Sequence, residues 1–145
     1  VKLMFEIDKD CHELNDCYRN FKISEKLDKD NMVYCEKCKK KTIMSRRAEV
    51  EEWPDNLIIV LKRFVPFNGR FKKNTQEINI PLNWRKGYSL QGIVFHSGSI
   101  HGGHYVYIGK KNNIWYLYDD NCVSQLNDRA LENFKNNGYI YYFTK

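Results

Sequence analysis

The segment 104–120 limits what this chain can fold into more than any other part of the sequence. His104, Val106 and Ile108 follow the period of two expected of a strand, and a second apolar run, Ile114–Tyr118, comes after four polar residues. Two such runs around a short polar stretch predict an antiparallel hairpin. We therefore expect a sheet in which these two strands are neighbours.

The length of the hairpin turn decides which carboxylate lies beside His104. With Lys111–Asn112 as the loop, His104 falls directly opposite Asp119; with Asn112–Asn113 as the loop, Asp119 takes the diagonal position on the same face. A three-residue loop places Asp120 opposite instead. Each register delivers a carboxylate to the imidazole, as in sites where an acid orients a histidine base. A purely structural His–Asp hydrogen bond is the alternative interpretation.

Length and cysteine content bound the class of protein. The 145 residues carry no repeat and are enough for one core. Because Val1 already lies inside an alternating run that ends at Ile7, we expect the sequence to be a piece of a longer chain. No stretch has the length of a membrane span or the pattern of a signal peptide, so we expect no membrane partner. Five cysteines, an odd number, favour free thiols and metal binding, and predict an intracellular protein of the cytoplasm or nucleus.

The basic character of the chain predicts a solvated surface. The net charge of +6 comes mainly from lysines spread along the sequence, and their densest run is Lys37–Lys41. A charged run of this kind is more often a solvated face than a nucleic-acid interface. We therefore expect no nucleic-acid partner.

A Cys-x-x-Cys pair lies beside this lysine run. Cys35 and Cys38 have the spacing of a tight turn whose two thiolates bind one side of a zinc ion. Structural zinc needs four ligands, so the pair is half of a site. The other metal-binding side chains are scattered along the sequence: Cys11, His12 and Cys122. Either the missing ligands precede Val1, which we prefer, or the pair is a relic without metal.

The rest of the chain predicts short strands and two short helices. The first helix begins with a capping box at Asp10 and Glu13 and buries one face; the second, Asn127–Phe134, is capped by Asn127. The expected inner face of the first helix is Leu14, Cys17, Tyr18 and Phe21. The expected strands are a segment entering from Thr42, a central strand over 57–61 that is covered on both faces, and the segments 76–80, 88–95 and 139–143. Loops are expected at 62–64 and 97–100.

A succession of motifs covers nearly the whole chain. In order, the motifs are Tyr34-Cys35-x-x-Cys38, Trp53-Pro54-x-x-Leu57, Leu61-Lys62-Arg63-Phe64, His96-Ser97-Gly98, Gly102-Gly103-His104-Tyr105, Trp115, Tyr118-Asp119-Asp120 and the aromatic end Tyr139-Ile140-Tyr141-Tyr142. This succession resembles the ubiquitin-specific protease family of cysteine deubiquitinases. The resemblance implies an α+β, papain-like cysteine protease fold, rich in antiparallel sheet and with few short helices. Residues from about 1 to 53 would form fingers and those from about 54 to 145 a palm of one catalytic domain.

The same resemblance assigns roles to particular residues. His104 would be the general base, Asp119 would orient it, and Asp120 would assist. Cys35 and Cys38 would be two of four zinc ligands. The residues that would line the channel for the ubiquitin tail are His96, His101, Gly103 and Tyr105.

The nucleophile of that family is missing from this sequence. Members carry it in a box resembling Gly-Asn-Thr-Cys-Tyr, well over a hundred residues before the histidine box. Residues 15–20 imitate part of this box, but Cys17 lacks the preceding glycine and lies on the predicted core face of a helix. We therefore expect the N-terminal, nucleophile-bearing part to lie outside this chain, and the chain alone to be inactive.

The expected function is deubiquitination, in which a thiol-dependent enzyme hydrolyses the isopeptide or peptide bond after the C-terminal glycine of ubiquitin. The expected partners are ubiquitin and ubiquitinated proteins. A non-catalytic, ubiquitin-binding scaffold member of the family is the first alternative. A basic zinc-ribbon protein that binds nucleic acid is the second, and it has only loose support from the lysines and aromatic residues.

Overall fold

A computed structural model describes residues 2–23, 25–27 and 29–145, so Val1, Ser24 and Asp28 lie outside the described residues. Its helices are α1 (Leu14–Phe21) and α2 (Asp128–Asn136). Its strands are β1 (Lys2–Phe5), β2 (Glu25–Leu27), β3 (Val33–Cys35), β4 (Lys40–Thr42), β5 (Met44–Arg46), β6 (Asn56–Leu61), β7 (Phe64–Phe67), β8 (Arg70–Lys73), β9 (Asn83–Trp84), β10 (Tyr88–Ser99), β11 (Gly102–Lys111), β12 (Ile114–Asp119), β13 (Cys122–Gln125) and β14 (Ile140–Thr144).

One sheet organises the molecule. Its order is β1-β6-β14-β10-β11-β12-β13, with β9 added beside β10. The strand β1 runs parallel to β6, and the other pairs in the sheet are antiparallel. The continuous apolar run 57–61 lies in β6, between β1 and β14, and Leu57, Ile59 and Leu61 are fully buried. The predicted central strand is therefore confirmed.

Both helices pack against one face of this sheet. Leu14, Cys17 and Tyr18 of α1 are buried, which confirms the predicted inner face, and Leu131 of α2 is buried too. They join side chains such as Phe5 in one hydrophobic core. Full burial of a large apolar side chain contributes roughly 1.5–3 kcal/mol, so this layer is the main source of stability.

The helix starts were predicted with unequal success. The cap of α2 is confirmed, because the Asn127 side chain accepts a hydrogen bond from the Ala130 amide at 2.8 Å. The cap of α1 is Glu13 and not Asp10. A carboxylate oxygen of Asp16 accepts the His12 amide at 2.9 Å and the Glu13 amide at 3.2 Å. The capping box is therefore formed by Glu13 and Asp16, three residues after the predicted pair Asp10 and Glu13.

The predicted loop at 97–100 is wrong. The strand β10 continues to Ser99, and only Ile100–His101 form the turn before β11. Gly98 has φ 97°, and a Cβ at this position would overlap the Gly102 carbonyl oxygen. Glycine at 98 therefore allows the two strands to stay paired where a larger residue would force them apart.

The predicted loop at 62–64 is wrong in its second half. Phe64 begins β7, which pairs with β8 around an Asn68–Gly69 turn. Arg63 does not leave the core, because it is 2% exposed and its Nε donates to the Gly138 carbonyl at 2.7 Å. The local sequence around Arg63 does not reveal this contact, because Gly138 is 75 residues away along the chain.

Two further predicted strands are only partly present. In the segment 76–80 a single bridge joins Asn79 to Glu13, although Ile78 and Ile80 are fully buried as predicted. Between Thr42 and Trp53, where a strand is expected to enter, the chain forms the three-residue strand β5. The strands predicted over 88–95 and 139–143 are confirmed as β10 and β14.

The segment between β1 and β6 forms two small ribbons, in which β2 pairs with β5 and β3 with β4. By contrast, β1 is a strand of the main sheet. The division near residue 53 into fingers and palm stays a prediction. Among the described residues, neither helix is long and apolar enough to cross a membrane.

Candidate functional site

The hairpin of β11 and β12 fixes where His104 and Asp119 lie. Lys111 pairs with Ile114, so Asn112–Asn113 is the two-residue loop. Both asparagines have positive φ, 52° and 63°, as a type I′ turn requires. This is the second of the two predicted two-residue registers, and it places Asp119 diagonally across from His104 on the same face.

Asp119 and His104 are directly bonded. The Asp119 Oδ1 and His104 Nε2 atoms are 2.5 Å apart, and the two side chains are 44% and 46% exposed. Because an ionised carboxylate can only accept, Nε2 carries the hydrogen. The lone pair of a neutral His104 is then on Nδ1, on the other side of the ring. This is the tautomer that a general base needs.

The neighbouring carboxylates also favour the charged imidazole. The hydrogen bond to Asp119 and the negative charge of Asp119 raise the pKa of His104 above its usual range, and the charge of Asp120 adds a smaller effect. The potential ligand atoms of His104, Asp119 and Asp120 lie within 4.8 Å of one another, a spacing that a divalent cation could use. The Nε2 atom is already engaged by Asp119, so the arrangement fits an oriented base better.

The four predicted channel residues share one shallow depression of about 390 Å³. His96, His101, Gly103 and Tyr105 all line it, together with Phe64. His96 pairs with Tyr105 across β10 and β11, so the two side chains share one face of the sheet. His104 pairs with Ser97 and points to the opposite face. The depression and the His104–Asp119 pair therefore lie on two sides of the same strand.

His96 is packed between aromatic rings on the sheet face that carries the depression. It is 7% exposed, and its ring lies 5.3 Å from the Phe64 ring and 4.8 Å from the Tyr105 ring. Burial, and secondarily the charge of Lys73, lower the pKa of His96, so the ring stays neutral near pH 7. Gly103 is required beside it, because a Cβ at 103 would overlap the His96 imidazole.

The Cys-x-x-Cys pair lies at the turn between β3 and β4. The Cys38 amide donates to Cys35 Sγ at 3.4 Å, and this hydrogen bond lowers the pKa of the Cys35 thiol. Thiolate character and amide bonding to sulfur are what a zinc-binding turn provides. The role of Cys35 and Cys38 as half of a tetrahedral zinc site stays a prediction.

The other cysteines offer no activated nucleophile. Cys11 and Cys17 are fully buried, and burial raises the pKa of Cys17 to about 12. A thiol with so high a pKa is inert. Cys122 is exposed and pairs with Asp119 across β12 and β13, but no hydrogen bond in the described structure activates it.

Sequence reasoning did not find every residue around the depression. Phe64 lies in a motif that the sequence singles out, although its ring contact with His96 is not predictable from it. Lys73, whose ammonium binds the His96 and Gly98 carbonyls, carries no sequence signal that separates it from Lys72.

A larger depression of about 670 Å³ lies elsewhere, between β1, α1 and the segment 46–48. Its lining mixes acidic side chains such as Glu6 with basic ones such as Lys62. The described residues that line it include no histidine or cysteine.

Comparison with known proteins identifies the family. A family model described as ubiquitin carboxyl-terminal hydrolase matches residues 13–143. Ubiquitin carboxyl-terminal hydrolase 21 of Homo sapiens is 28% identical over 142 residues, which cover 90% of this chain and 25% of that protein. Ubiquitin carboxyl-terminal hydrolase 4 of Arabidopsis thaliana is 31% identical over 134 residues, covering 83% of this chain and 37% of that protein.

Solved structures give the same result for the fold. The SAGA DUB module Ubp8/Sgf11/Sus1/Sgf73 bound to monoubiquitin matches with a TM-score of 0.81 and 27% identity, over 99% of this chain and 34% of that one. The module bound to ubiquitin aldehyde matches with a TM-score of 0.78 and 26% identity, over 99% and 35%. The predicted α+β, papain-like fold is confirmed.

This chain thus spans about a quarter to a third of the length of such proteins. The family model covers most of its residues, and the fold agrees over nearly all of them. The chain belongs to the ubiquitin carboxyl-terminal hydrolase family, as a region of a ubiquitin-specific protease catalytic domain.

Proposed function

We propose that this chain supplies the general base and the orienting acid of a thiol-dependent deubiquitinase, which hydrolyses the isopeptide or peptide bond after the C-terminal glycine of ubiquitin. The observation that carries the proposal is the 2.5 Å bond between His104 Nε2 and Asp119 Oδ1. It leaves Nδ1 as the basic atom of the ring. Membership of the family provides the class of reaction.

The proton transfers follow from this geometry. His104 Nδ1 takes the proton of a cysteine thiol, and the raised pKa of His104 favours the resulting thiolate–imidazolium pair. The thiolate attacks the glycine carbonyl carbon, and the imidazolium protonates the departing lysine amine. Water then attacks the thioester with His104 again accepting a proton. Asp119 holds the ring in place, and Asp120 adds negative charge.

The nucleophile of this proposal is a cysteine of a longer protein that contains this chain. Cys17 is excluded as that nucleophile by its burial and its pKa of about 12. The curated relatives are several times longer than the matched region, which leaves ample length for such a segment. Donors for the oxyanion of the tetrahedral intermediate would also come from that part.

The shallow depression would hold the tail of ubiquitin. It is lined by His96, His101 and Tyr105, and Gly103 leaves its floor free of a side chain. A tail that lies there reaches His104 by crossing the turn end of β10 and β11, where the glycine at 102 has open space around it. Ubiquitin and ubiquitinated proteins are the partners of this proposal.

A structural zinc ion belongs to the proposal as well. Cys35 and Cys38 would hold it as thiolates, and the metal would clamp the ribbon of β3 and β4. The ligands that complete the tetrahedron would come from outside this chain. The intracellular location and the absence of nucleic-acid and membrane partners stay predictions.

Covalent labelling tests the proposal against the scaffold alternative. Ubiquitin with a thiol-reactive group at its C-terminus should label the full-length protein at a single cysteine outside this chain. The isolated chain, treated identically, should not be labelled. A full-length protein that binds the probe without forming a covalent adduct would be a scaffold, and labelling at Cys17 or Cys122 would place the nucleophile within this chain instead.

A further inference from the structure

The ammonium group of Lys73 bridges two backbone carbonyls at the end of β10. Lys73 Nζ donates to the His96 carbonyl oxygen at 2.9 Å and to the Gly98 carbonyl oxygen at 3.0 Å. Lys73 is half-buried and is the last residue of β8. A single side chain therefore ties the hairpin of β7 and β8 to the turn that precedes His104.

The His96 and Gly98 carbonyls lie on the side of β10 that faces β14 earlier in the strand, where amides of β14 and of Tyr139 donate to the β10 carbonyls. The pairing of β10 with β14 ends at Val94 and Ile140, and the Val94 carbonyl accepts the Tyr139 amide at 2.8 Å. Beyond this point the carbonyls of alternate residues 96 and 98 point to the same side of β10, but β14 is no longer beside them. The Lys73 ammonium supplies the hydrogen-bond donors that β14 no longer provides at these residues. Without its ammonium these two acceptors lose their partner at a free sheet edge.

The bridged carbonyls flank the residue opposite His104. Ser97 is the cross-strand partner of His104, and the Ser97 hydroxyl donates to the His104 carbonyl oxygen at 3.4 Å. Lys73 thus fixes the residue on each side of Ser97. A shift of this short segment would be passed directly to the backbone of His104, because the ladder between β11 and β12 ends at Tyr107 and β10 is the strand that pairs with His104.

We propose that Lys73 is a positioning residue for the base His104: its ammonium group replaces the missing strand beside residues 96–98 and so holds the Ser97–His104 pair in the reactive position. The proposal rests on the proposed function, in which His104 is the base. Lys73 touches neither the reacting atoms nor His104 itself, so it acts through the backbone.

Two further contacts support the assignment. Phe64, the partner of Lys73 in the hairpin, packs its ring against His96, so the hairpin holds this turn at two points. Burial lowers the pKa of Lys73, with a smaller effect from the charge of Arg63, as expected of an ammonium directed into the fold. The neighbouring Lys72 has its ammonium 5.1 Å from the Phe67 ring and makes no bond to the turn.

The test compares three substitutions at Lys73 with one at Lys72 in the complete catalytic domain. Lys73→Met removes the donors, Lys73→Gln keeps an uncharged NH2 group on a shorter side chain, Lys73→Arg keeps charge and donors, and Lys72→Met is the matched control. Steady-state kinetics on a ubiquitin C-terminal amide give kcat and KM separately. Hydrogen exchange of the segment 95–104 reports on the turn without depending on catalysis.

The expected result is a loss in kcat of about tenfold to a hundredfold for Lys73→Met, since a displacement of about 1 Å at a reacting group has this effect. For the same variant, KM should change little and hydrogen exchange in the segment 95–104 should rise. Lys73→Arg should restore most of kcat. Lys72→Met should behave as wild type in both measurements. If Lys73→Met does not fold, Lys73→Gln is expected to show the same losses in smaller measure.

Wild-type kcat and wild-type exchange in Lys73→Met, or in Lys73→Gln where the first does not fold, would overturn the positioning role. So would a loss that Lys73→Arg does not relieve. Failure of the proposed function looks different, because a His104→Ala variant would then keep its turnover whatever Lys73 does. The exchange measurement still decides the role of Lys73 at the turn in that case.

Discussion

At the residue scale, the proposed chemistry depends most on His104. The hydrogen bond to Asp119 and the charge of Asp119 raise the pKa of His104, and the charge of Asp120 contributes less. Asp119→Asn should therefore lower the pKa of His104 clearly, and Asp120→Asn should lower it less. Titration of the imidazole carbon-bound protons by NMR measures this. Equal effects of the two variants, or a rise in either, would contradict the geometry.

In the proposed mechanism, the sign of this pKa shift sets the pH range of activity. Because Asp119 stabilises the imidazolium, the thiolate–imidazolium pair persists to higher pH than it would beside an unperturbed histidine. Loss of the Asp119 charge should therefore bring the alkaline limb of the kcat profile to lower pH. His104 is half exposed, so this effect concerns activity more than stability.

Two adjacent glycines differ in what surrounds them. A Cβ at Gly103 would overlap the His96 imidazole and the Ser97 carbonyl oxygen, whereas a Cβ at Gly102 meets nothing within 4 Å. Gly103→Ala should lower the free energy of unfolding by about 1–3 kcal/mol, as overpacking does, and Gly102→Ala should change it little. Urea denaturation of both variants is the measurement. Similar values for the two would mean that the His96 ring yields freely.

Some of these residues could be predicted from the sequence and others could not. Pairing arithmetic brings a carboxylate to His104 in any register, so the pair itself follows from the hairpin. The register of the hairpin does not follow from the sequence. It depends on Asn112 and Asn113 adopting positive φ, whereas Lys111 could also have entered the turn. Lys73 is unpredictable for another reason: its partners are backbone carbonyls more than twenty residues away.

At the scale of elements, the start of α1 shows where local pattern is insufficient. Asp10 and Glu13 have capping-box spacing, yet Asp16 accepts the amides at the helix start and Arg19 pairs with it at 2.7 Å. These amide bonds, first that of His12, lower the pKa of Asp16. Both spacings are three residues, so the sequence alone does not choose between them.

The cap gives a prediction with a definite pH dependence. Asp16→Ala should lower the melting temperature at neutral pH, and Asp10→Ala should not, since the Asp10 carboxylate bonds nothing in the described structure. Because the folded-state pKa of Asp16 is lowered, its stabilisation is present above the usual carboxyl pKa and is lost as the pH falls through the lowered value. Melting curves at neutral and acidic pH check this. A difference between wild type and Asp16→Ala that grows in acid would contradict it.

At the scale of the whole molecule, the sheet places the two parts of the proposed site on opposite faces. One face packs against α1 and α2 and carries His104 and Asp119 at its end; the other carries the depression with His96 and Tyr105. The alternation of side chains along β11 predicts this separation once the strand is known. The strand order of the sheet is not predictable in this way, since β1 and β14 join β6 over long stretches of chain.

The most direct test of the central claim is the turnover of a ubiquitin C-terminal amide by the full-length protein carrying His104→Ala. We predict a loss of roughly 100- to 10,000-fold in kcat with unchanged melting, because a positioned general base contributes on this order. His12→Ala removes another exposed imidazole from the start of α1 and should leave turnover unchanged. Wild-type turnover by a folded His104→Ala variant would contradict the account.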